Sequence, residues 1–462
     1  MKQNEALDLL MMGHNVFLTG QAGSGKTYLT NKYVKFLKKN KVGVAVTAST
    51  GIAATYLDGI TVHSWSGIGI KKEITEKEIS KLNSNPKVRE RIQTPKVLII
   101  DEISMFHSYR LDAVNKICKR IRNNPEPFGG MQVILCGDFF QLPPINESES
   151  PESSFAYKSD SWSELGLKIC YLDEQHRQWD ESYLKVLNDI RSREVDEGTF
   201  EKLSSRVNAE IENNIYPTKL YTHNVDVDAI NNFELSKINK PEFDYTMVAK
   251  GNKKLVEALK KGCLAPENLI LKKDAVVMFV KNNPGKGYIN GTLGKVVDFD
   301  SEKYPIVETY SGKEVVAHPT NWIFEENDVI LAEISQVPLR LAWAITVHKS
   351  QGMSLDAAEV DLSKAFSYGM GYVALSRLKS LSGLRLLGIN QTALQVDNDI
   401  AEIDLVFKED SRSAATKLNN LSSQELKLRQ KAYLNKIFPK GAQLTSERTL
   451  KNLFNKFFNG DS

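Results

Sequence analysis

Cysteine is scarce in this chain. There are four in 462 residues, Cys118, Cys136, Cys170 and Cys263, set far apart and each in apolar surroundings. No CxxC pair or Cys/His cluster occurs, so neither a zinc site nor a disulfide framework is encoded, and the four read as small buried hydrophobes. Long apolar runs are missing as well, none approaching the ~18 residues needed to cross a bilayer. The opening "MKQNEALDLL" has neither the apolar core of a signal peptide nor the Arg/Ser-rich character of a transit peptide. The expectation is a cytosolic protein. Repeats and low-complexity tracts are absent too. What remains, 41% hydrophobic and 25% charged, is an ordinary globular balance over about three domains' worth of chain.

Net charge is small, +3, but it is unevenly spread. Residues 411–462 hold ten Lys/Arg against three Asp/Glu, a local +7 that leaves −4 for the rest. Such a tail suits contact with a phosphate backbone, and equally suits a solvated helix. Ser422 and Glu425 have capping-box spacing, and a further helix start lies at Thr445 or Ser446. Beyond it Leu450, Leu453, Phe454, Phe457 and Phe458 form an apolar stripe, read as packed on the body.

The first half alternates strands and helices. "NVFLTG", "VGVAVTA", "KVLIIDE" and "MQVILC" are near-continuous apolar runs, and between the last two Leu111, Val114, Ile117 and Ile121 recur at helical spacing. Apolar strands separated by helices predict an α/β fold with a parallel sheet covered on both faces. Residues 71–90 are charged, lack a strand and read as an excursion from that sheet. A second α/β unit starts near "KLYTHN" and resumes at "LAWAITVHKSQG". Between them short alternating runs over about 294–337, broken by Gly, Pro and Asp, predict a small β insertion, read as a barrel.

"GQAGSGKT" (20–27) fits G-x-x-x-x-G-K-[ST] and sits after a strand and before a helix, the context its mechanism needs. Gly20, Ala22, Gly23, Ser24 and Gly25 would turn backbone N–H groups onto phosphate oxygens, with the helix N-terminus adding its dipole. Lys26 would reach the β- and γ-phosphates of ATP, and the Thr27 hydroxyl would ligate Mg²⁺. In "LIIDE", Asp101 at the end of a buried strand suits the same Mg²⁺, and Glu102 suits a base that activates water. That pairing says hydrolysis rather than transfer to a small acceptor. "GDFFQLPP" (137–144) places Gln141 past another buried strand on a loop stiffened by Pro143 and Pro144. All three strands end at the ligand edge of a parallel sheet, where the Gln141 amide can sense the γ-phosphate. A cation brought from a second domain would complete such a site, and Arg177 and Arg377 are the candidates.

The ordered set "GQAGSGKT", "TASTGIAA", "DEIS", "GDFFQLPP", "YLDEQHRQ", "VHKSQG" and "YVALSR" resembles superfamily 1 helicases of subgroup B, which are RecD-like, and more narrowly the PIF (petite integration frequency) family. "RLDAVNKICKRIRNNPEPFGG" (110–130) matches that family's own signature in length and in its "PFGG" ending, and the resemblance runs from about Gln3 to Leu387. It implies that Gln3 reads adenine, that Arg177 and Arg377 reach the γ-phosphate from the second motor domain, and that Gln351 and Gly352 face the nucleotide. Ser49, Thr50, His63, Trp65, His223, Asn224, His348, Lys349 and Ser350 match segments that touch single-stranded DNA. Trp65 and Phe139 are the aromatics available for base stacking, with core packing as the competing role.

The implied fold is two RecA-like domains: 1–173 with a wedge at about 62–90, and 174–293 with 338–408. An SH3-like barrel would occupy 294–337 and a basic helical tail 409–462. The implied activity is ATP-driven 5′-to-3′ translocation on single-stranded DNA with unwinding of 5′-tailed duplexes, and G-quadruplexes are an open case. Replication, repair, recombination or telomere maintenance are the family's settings. The early start of the motifs suggests a minimal, bacterial or viral monomer acting in the cytosol or nucleoid. The alternatives are a translocase or RecD-like subunit that does not itself unwind, an NTP-driven switch acting on a protein, and, less favoured, a small-molecule kinase.

Overall fold

The structure, a computed structural model, describes residues 1–57, 59–69, 73–144, 155–178, 180–211, 217–281, 283–288, 290–310, 312–326 and 329–439. The apolar stripe expected after residue 445 lies outside them. The chain forms two compact units, one built from Met1–Leu184, Ile190–Glu194 and the chain from Gln395 onward, the other from Lys185–Asp189 and Val195–Leu394.

The first unit is built on six strands: β1 Val16–Gly20, β2 Val44–Ala48, β3 Ile60–Thr61, β4 Val97–Asp101, β5 Gln132–Cys136 and β6 Lys168–Leu172. Their spatial order is β3-β2-β4-β5-β1-β6 and every pairing is parallel. β1, β4 and β5 are buried at every residue, as apolar runs covered on both faces should be. Between β3 and β4 the expected excursion is helical, with Val62–Ser66, Glu76–Ser84 and Pro86–Gln93. The "PFGG" ending forms a tight turn in which Phe128, Gly129 and Gly130 all take positive φ. A Cβ on Gly129 would come within 2.6 Å of Arg122 Cδ, so the turn is pressed against helix Ser108–Arg122.

The described part of the basic tail belongs to this unit's core. Helix Asn398–Asn419 runs through the expected boundary at 409 and lies on β6, where Tyr171 N donates to Ser411 Oγ at 3.0 Å. Helix Ser423–Ile437, capped by Ser422 as its spacing predicts, lies against helix Gln3–Met11. Leu418, Leu434, Ile437 and Phe438 are buried there with Leu10 and Phe36.

The second unit holds a four-stranded parallel sheet in the order Ala344–Thr346, Thr218–Tyr221, Ala358–Leu362, Leu384–Ile389. Among the described residues, three antiparallel sheets are inserted in it, the largest pairing Val276–Phe279 with Leu293–Phe299 and Leu339–Leu341. This module starts at strand Phe243–Thr246, well before the expected residue 294. An apolar run such as "AVVMF" suits a buried strand of either kind, and only its partners decide which.

Candidate active site and nucleic-acid interface

The phosphate loop follows from its glycines. Gly23 and Gly25 take φ of +88° and +85°, conformations that side chains resist, and Gly25 caps helix Lys26–Lys39. A Cβ on Gly25 would fall 2.1 Å from Gln3 Nε2, and one on Gly23 would fall 2.3 Å from Gln175 Oε1. Lys26 Nζ donates to the carbonyls of Gly20 and Gln21 at 2.8 and 2.9 Å. Burial holds its pKa below the usual lysine value, and the charges of Asp138 and Glu102 oppose that shift. Ser24 Oγ is buried without a hydrogen-bond partner among the described residues. Thr27 is exposed in the first turn of the helix. Gln3 Nε2 lies 3.4 Å from Ser24 O and 3.0 Å from His176 Nε2, so the expected adenine reader does sit beside this loop.

Asp101 ends β4 and Glu102 follows in the left-handed region, φ 52°, with its N–H donating to Asp101 Oδ1 at 2.9 Å. Burial first, and then the Glu102 charge, push the Asp101 pKa up to about 7. A buried carboxylate beside a second one is a donor set that a divalent cation would stabilise, which fits Mg²⁺ held by Asp101 and Thr27.

Gln141 is 6% exposed, and its Oε1 has no hydrogen-bond partner among the described residues. Its backbone N–H donates to Asp138 O at 3.0 Å, so Asp138 sets the loop. Asp138 is in turn gripped by Arg191, whose Nη1 donates to both carboxylate oxygens at 2.8 and 2.7 Å. The guanidinium also sits 4.0 Å from the centroid of the Phe140 ring, and its Nη2 donates to Tyr171 Oη and Asp404 Oδ1 at 2.8 and 3.4 Å. Both charges are almost wholly buried. Arg191 has no local signature, because nothing in "DIRSRE" reveals a carboxylate 53 residues earlier.

Arg177 departs from expectation. It belongs to the first unit, and its Cβ would lie 2.6 Å from a Cβ on Gly23, so it is not delivered by the second. Gln175 Nε2, donating to Ala22 O at 3.1 Å, and His176 N, donating to Gly23 O at 3.0 Å, tie its segment to the phosphate loop. Arg377 does lie in the second unit. It is 1% exposed, with Nε donating to Val373 O and Nη2 to Ser376 Oγ, both at 2.9 Å.

The expected DNA-side residues divide between surface and interior. Trp65 is 3% exposed and Phe139 4%, the latter inside a cluster of Phe17, Tyr157, Trp162 and Phe407 rings, so neither offers a face to a base. Ser350 is fully buried and donates to Val347 O at 2.7 Å, a structural role. Ser49 is also nearly buried, its hydroxyl donating to Glu102 O at 2.7 Å, and Thr50 is half-buried beside it. His63 is half-buried, 3.1 Å from Arg110 Nη1, and its pKa is pushed down to about 4 by burial and then by the Arg110 charge. His223 and Asn224 are exposed, and Lys349 Nζ donates to Asn224 Oδ1 at 3.1 Å. His348 is half-buried nearby, and Gln351 and Gly352 close the same turn, with Gly352 at φ +81°.

Comparison with known proteins decides the family. Residues 3–197 match the model of the PIF1-like helicases, and 254–299 match that of the 2B domain of the DNA helicase Pif1. An ATP-dependent DNA helicase Pif1 of Psychrobacter is 43% identical over 92% of this chain and 73% of its own length. The chain belongs to the PIF1-like helicase family. A second such helicase, from Bdellovibrio bacteriovorus, is 35% identical over 86% of this chain and 89% of its own length. Among solved PIF1-like helicases, the Candida albicans Pif1 crystal structure superposes with a TM-score of 0.80 at 36% identity, covering 87% of this chain and 98% of that one. A Bacteroides Pif1 in complex with ADP-AlF3 and single-stranded DNA gives 0.68 at 29% identity, covering 88% of this chain and 96% of that one. The RecA-like architecture expected from the sequence is thus the one this PIF1-like chain has.

Proposed function

We propose that this chain is an ATP-dependent DNA helicase that moves along single-stranded DNA and separates duplexes ahead of it. The observation that carries this is one sheet edge: Lys26, Asp101, Glu102 and Gln141 lie at or beyond the carboxyl ends of β1, β4 and β5, where α/β sheets bind ligands. Gly20 to Thr27 bind the triphosphate and Gln3 orients the base. Thr27 and Asp101 would hold Mg²⁺, which would supply positive charge to the triphosphate. Glu102 accepts a proton from the attacking water, and Gln141 registers loss of the γ-phosphate. Arg177 and Arg377 supply cations to the γ-phosphate, the first from the phosphate loop's own unit. His223, Asn224, His348 and Lys349 contact DNA.

Movement in the 5′-to-3′ sense and action on 5′-tailed duplexes rest on the family resemblance alone, and residence in the cytosol is part of the same reading. DNA binding in this reading is supported by the Bacteroides relative's complex with single-stranded DNA. The test is steady-state ATP hydrolysis with and without a single-stranded oligonucleotide at moderate salt, followed by strand displacement on a 5′-tailed duplex. Stimulation by single strands and displacement are expected. A rate indifferent to DNA would instead favour the protein-directed switch.

A further inference from the structure

We propose that Asp404, on helix Asn398–Asn419, is a positioning residue for ATP hydrolysis that acts through Arg191 and Asp138, an inference that rests on reading Gln141 as the γ-phosphate sensor. The loop that carries Gln141 is held by its own carboxylate. Asp138 is fully buried; its Oδ1 accepts from Phe140 N at 3.2 Å and its Oδ2 from Gln141 Nε2 at 3.5 Å. Engaging one N–H of the amide fixes which way round the amide sits. Its second N–H and Oε1 are left for phosphate and water.

That carboxylate is in turn aimed by a guanidinium. Both Asp138 oxygens accept from the single nitrogen Nη1 of Arg191, so the carboxylate follows wherever Nη1 points. The guanidinium is a rigid plane, so Nη1 points where Nη2 is anchored. Nη2 donates to Tyr171 Oη at 2.8 Å and to Asp404 Oδ1 at 3.4 Å, and Tyr171 Oη donates to Asp404 Oδ2 at 3.4 Å. Asp404 thus receives both groups that fix the far side of the plane. All of these side chains belong to the first unit and are almost wholly buried, so water does not compete for their bonds. Lys408 Nζ, 2.8 Å from Asp404 Oδ2, gives the second carboxylate its own countercharge. An ion pair that served stability alone would need only Asp138 and Arg191. A second buried carboxylate on the same guanidinium costs desolvation, and the orientation it imposes accounts for its presence.

The experiment compares Asp404→Asn, Tyr171→Phe and a control, Asp399→Asn, in the full chain. Asp399 lies on the same helix, but its pair with Lys158 is exposed. Each protein is measured for DNA-stimulated turnover against ATP concentration, and for equilibrium binding of ADP alone and of ADP with aluminium fluoride, which fills the γ-phosphate position. Asp404→Asn should lower kcat about 10-fold with KM near wild type, short of the roughly 100-fold that a misplacement of about 1 Å can cost. It should weaken binding of ADP with aluminium fluoride and leave ADP binding unchanged, because only the former reaches Gln141. Tyr171→Phe should show the same pattern more weakly, and Asp399→Asn should show neither change. In a Gln141→Ala background Asp404→Asn should cost nothing further, since effects routed through one group do not add. Should Asp404→Asn not fold, Tyr171→Phe, which keeps every charge, decides by the same criteria. Wild-type kcat in Asp404→Asn, an equal loss of affinity for ADP, or a full further loss on top of Gln141→Ala would overturn the proposal. Wild-type turnover in Gln141→Ala itself would overturn the sensor reading instead.

Discussion

Lys26 donates to two backbone carbonyls of its own loop, and no other side chain of that loop carries a positive charge. Lys26→Ala should therefore bring DNA-stimulated ATP hydrolysis to background, as read by steady-state turnover. Arg377→Ala should retain ATP binding while turnover falls by roughly three orders of magnitude, the worth of an arginine finger; comparing nucleotide affinity with turnover separates the two. Arg191 makes a different demand. Removing it leaves the buried Asp138 carboxyl without its salt-bridge partner, a loss of about 3–5 kcal/mol. Thermal unfolding of Arg191→Met should show that loss, and Asp138→Asn in the same protein should recover part of it, because a neutral amide costs less to bury. The variant should also lower turnover, since Asp138 shapes the loop that carries Gln141.

At the scale of elements, the turn Val347–Ser350 shows how the placing of a side chain tunes its charge. Burial first, and then the Arg340 charge, push Lys349 down to about 8. The lysine is cationic below that value and neutral above it. Its share of DNA affinity should accordingly be complete at pH 7 and fade as pH rises past about 8, with a bound phosphate moving the step upward. A pH series of single-strand binding should show this decline in wild type and a flatter profile in Lys349→Gln. The module inserted in the second unit shows why elements were only partly legible. Its runs of alternating residues announced strands between 294 and 337, but nothing local marked "FDYT" or "VVMF" as members of the same antiparallel set. Pairing across tens of residues assigned them.

At the scale of the molecule, the tail is where composition misleads most. Ten cations suggest a solvated or DNA-bound arm, yet Leu418, Leu434, Ile437 and Phe438 are buried in the first unit. Tyr433 donates to Gln132 Oε1 at 2.8 Å, and Gln430 to Asp8 Oδ1 at 2.8 Å. Deleting residues 411–462 should strip the cover from helix Gln3–Met11 and from β6. The expected outcome is a large fall in melting temperature or insoluble protein, measured by thermal unfolding of whatever remains folded; a truncated chain that melts like the full one would count against this packing.

The parts written locally were determined by the sequence itself. A phosphate loop needs glycines, a lysine and a hydroxyl within eight residues, and "DE" and "GDFFQLPP" each need only a strand before them, so spacing alone singled out Lys26, Asp101, Glu102 and Gln141 as candidates. Tertiary structure decided the rest. It buried Trp65, Phe139 and Ser350, set Arg177 beside its own phosphate loop, and joined Asp138 to Arg191 and Arg191 to Asp404 across 53 and 213 residues. Burial and ion pairing are relations between distant segments, and a residue's own neighbours in the chain carry no record of them.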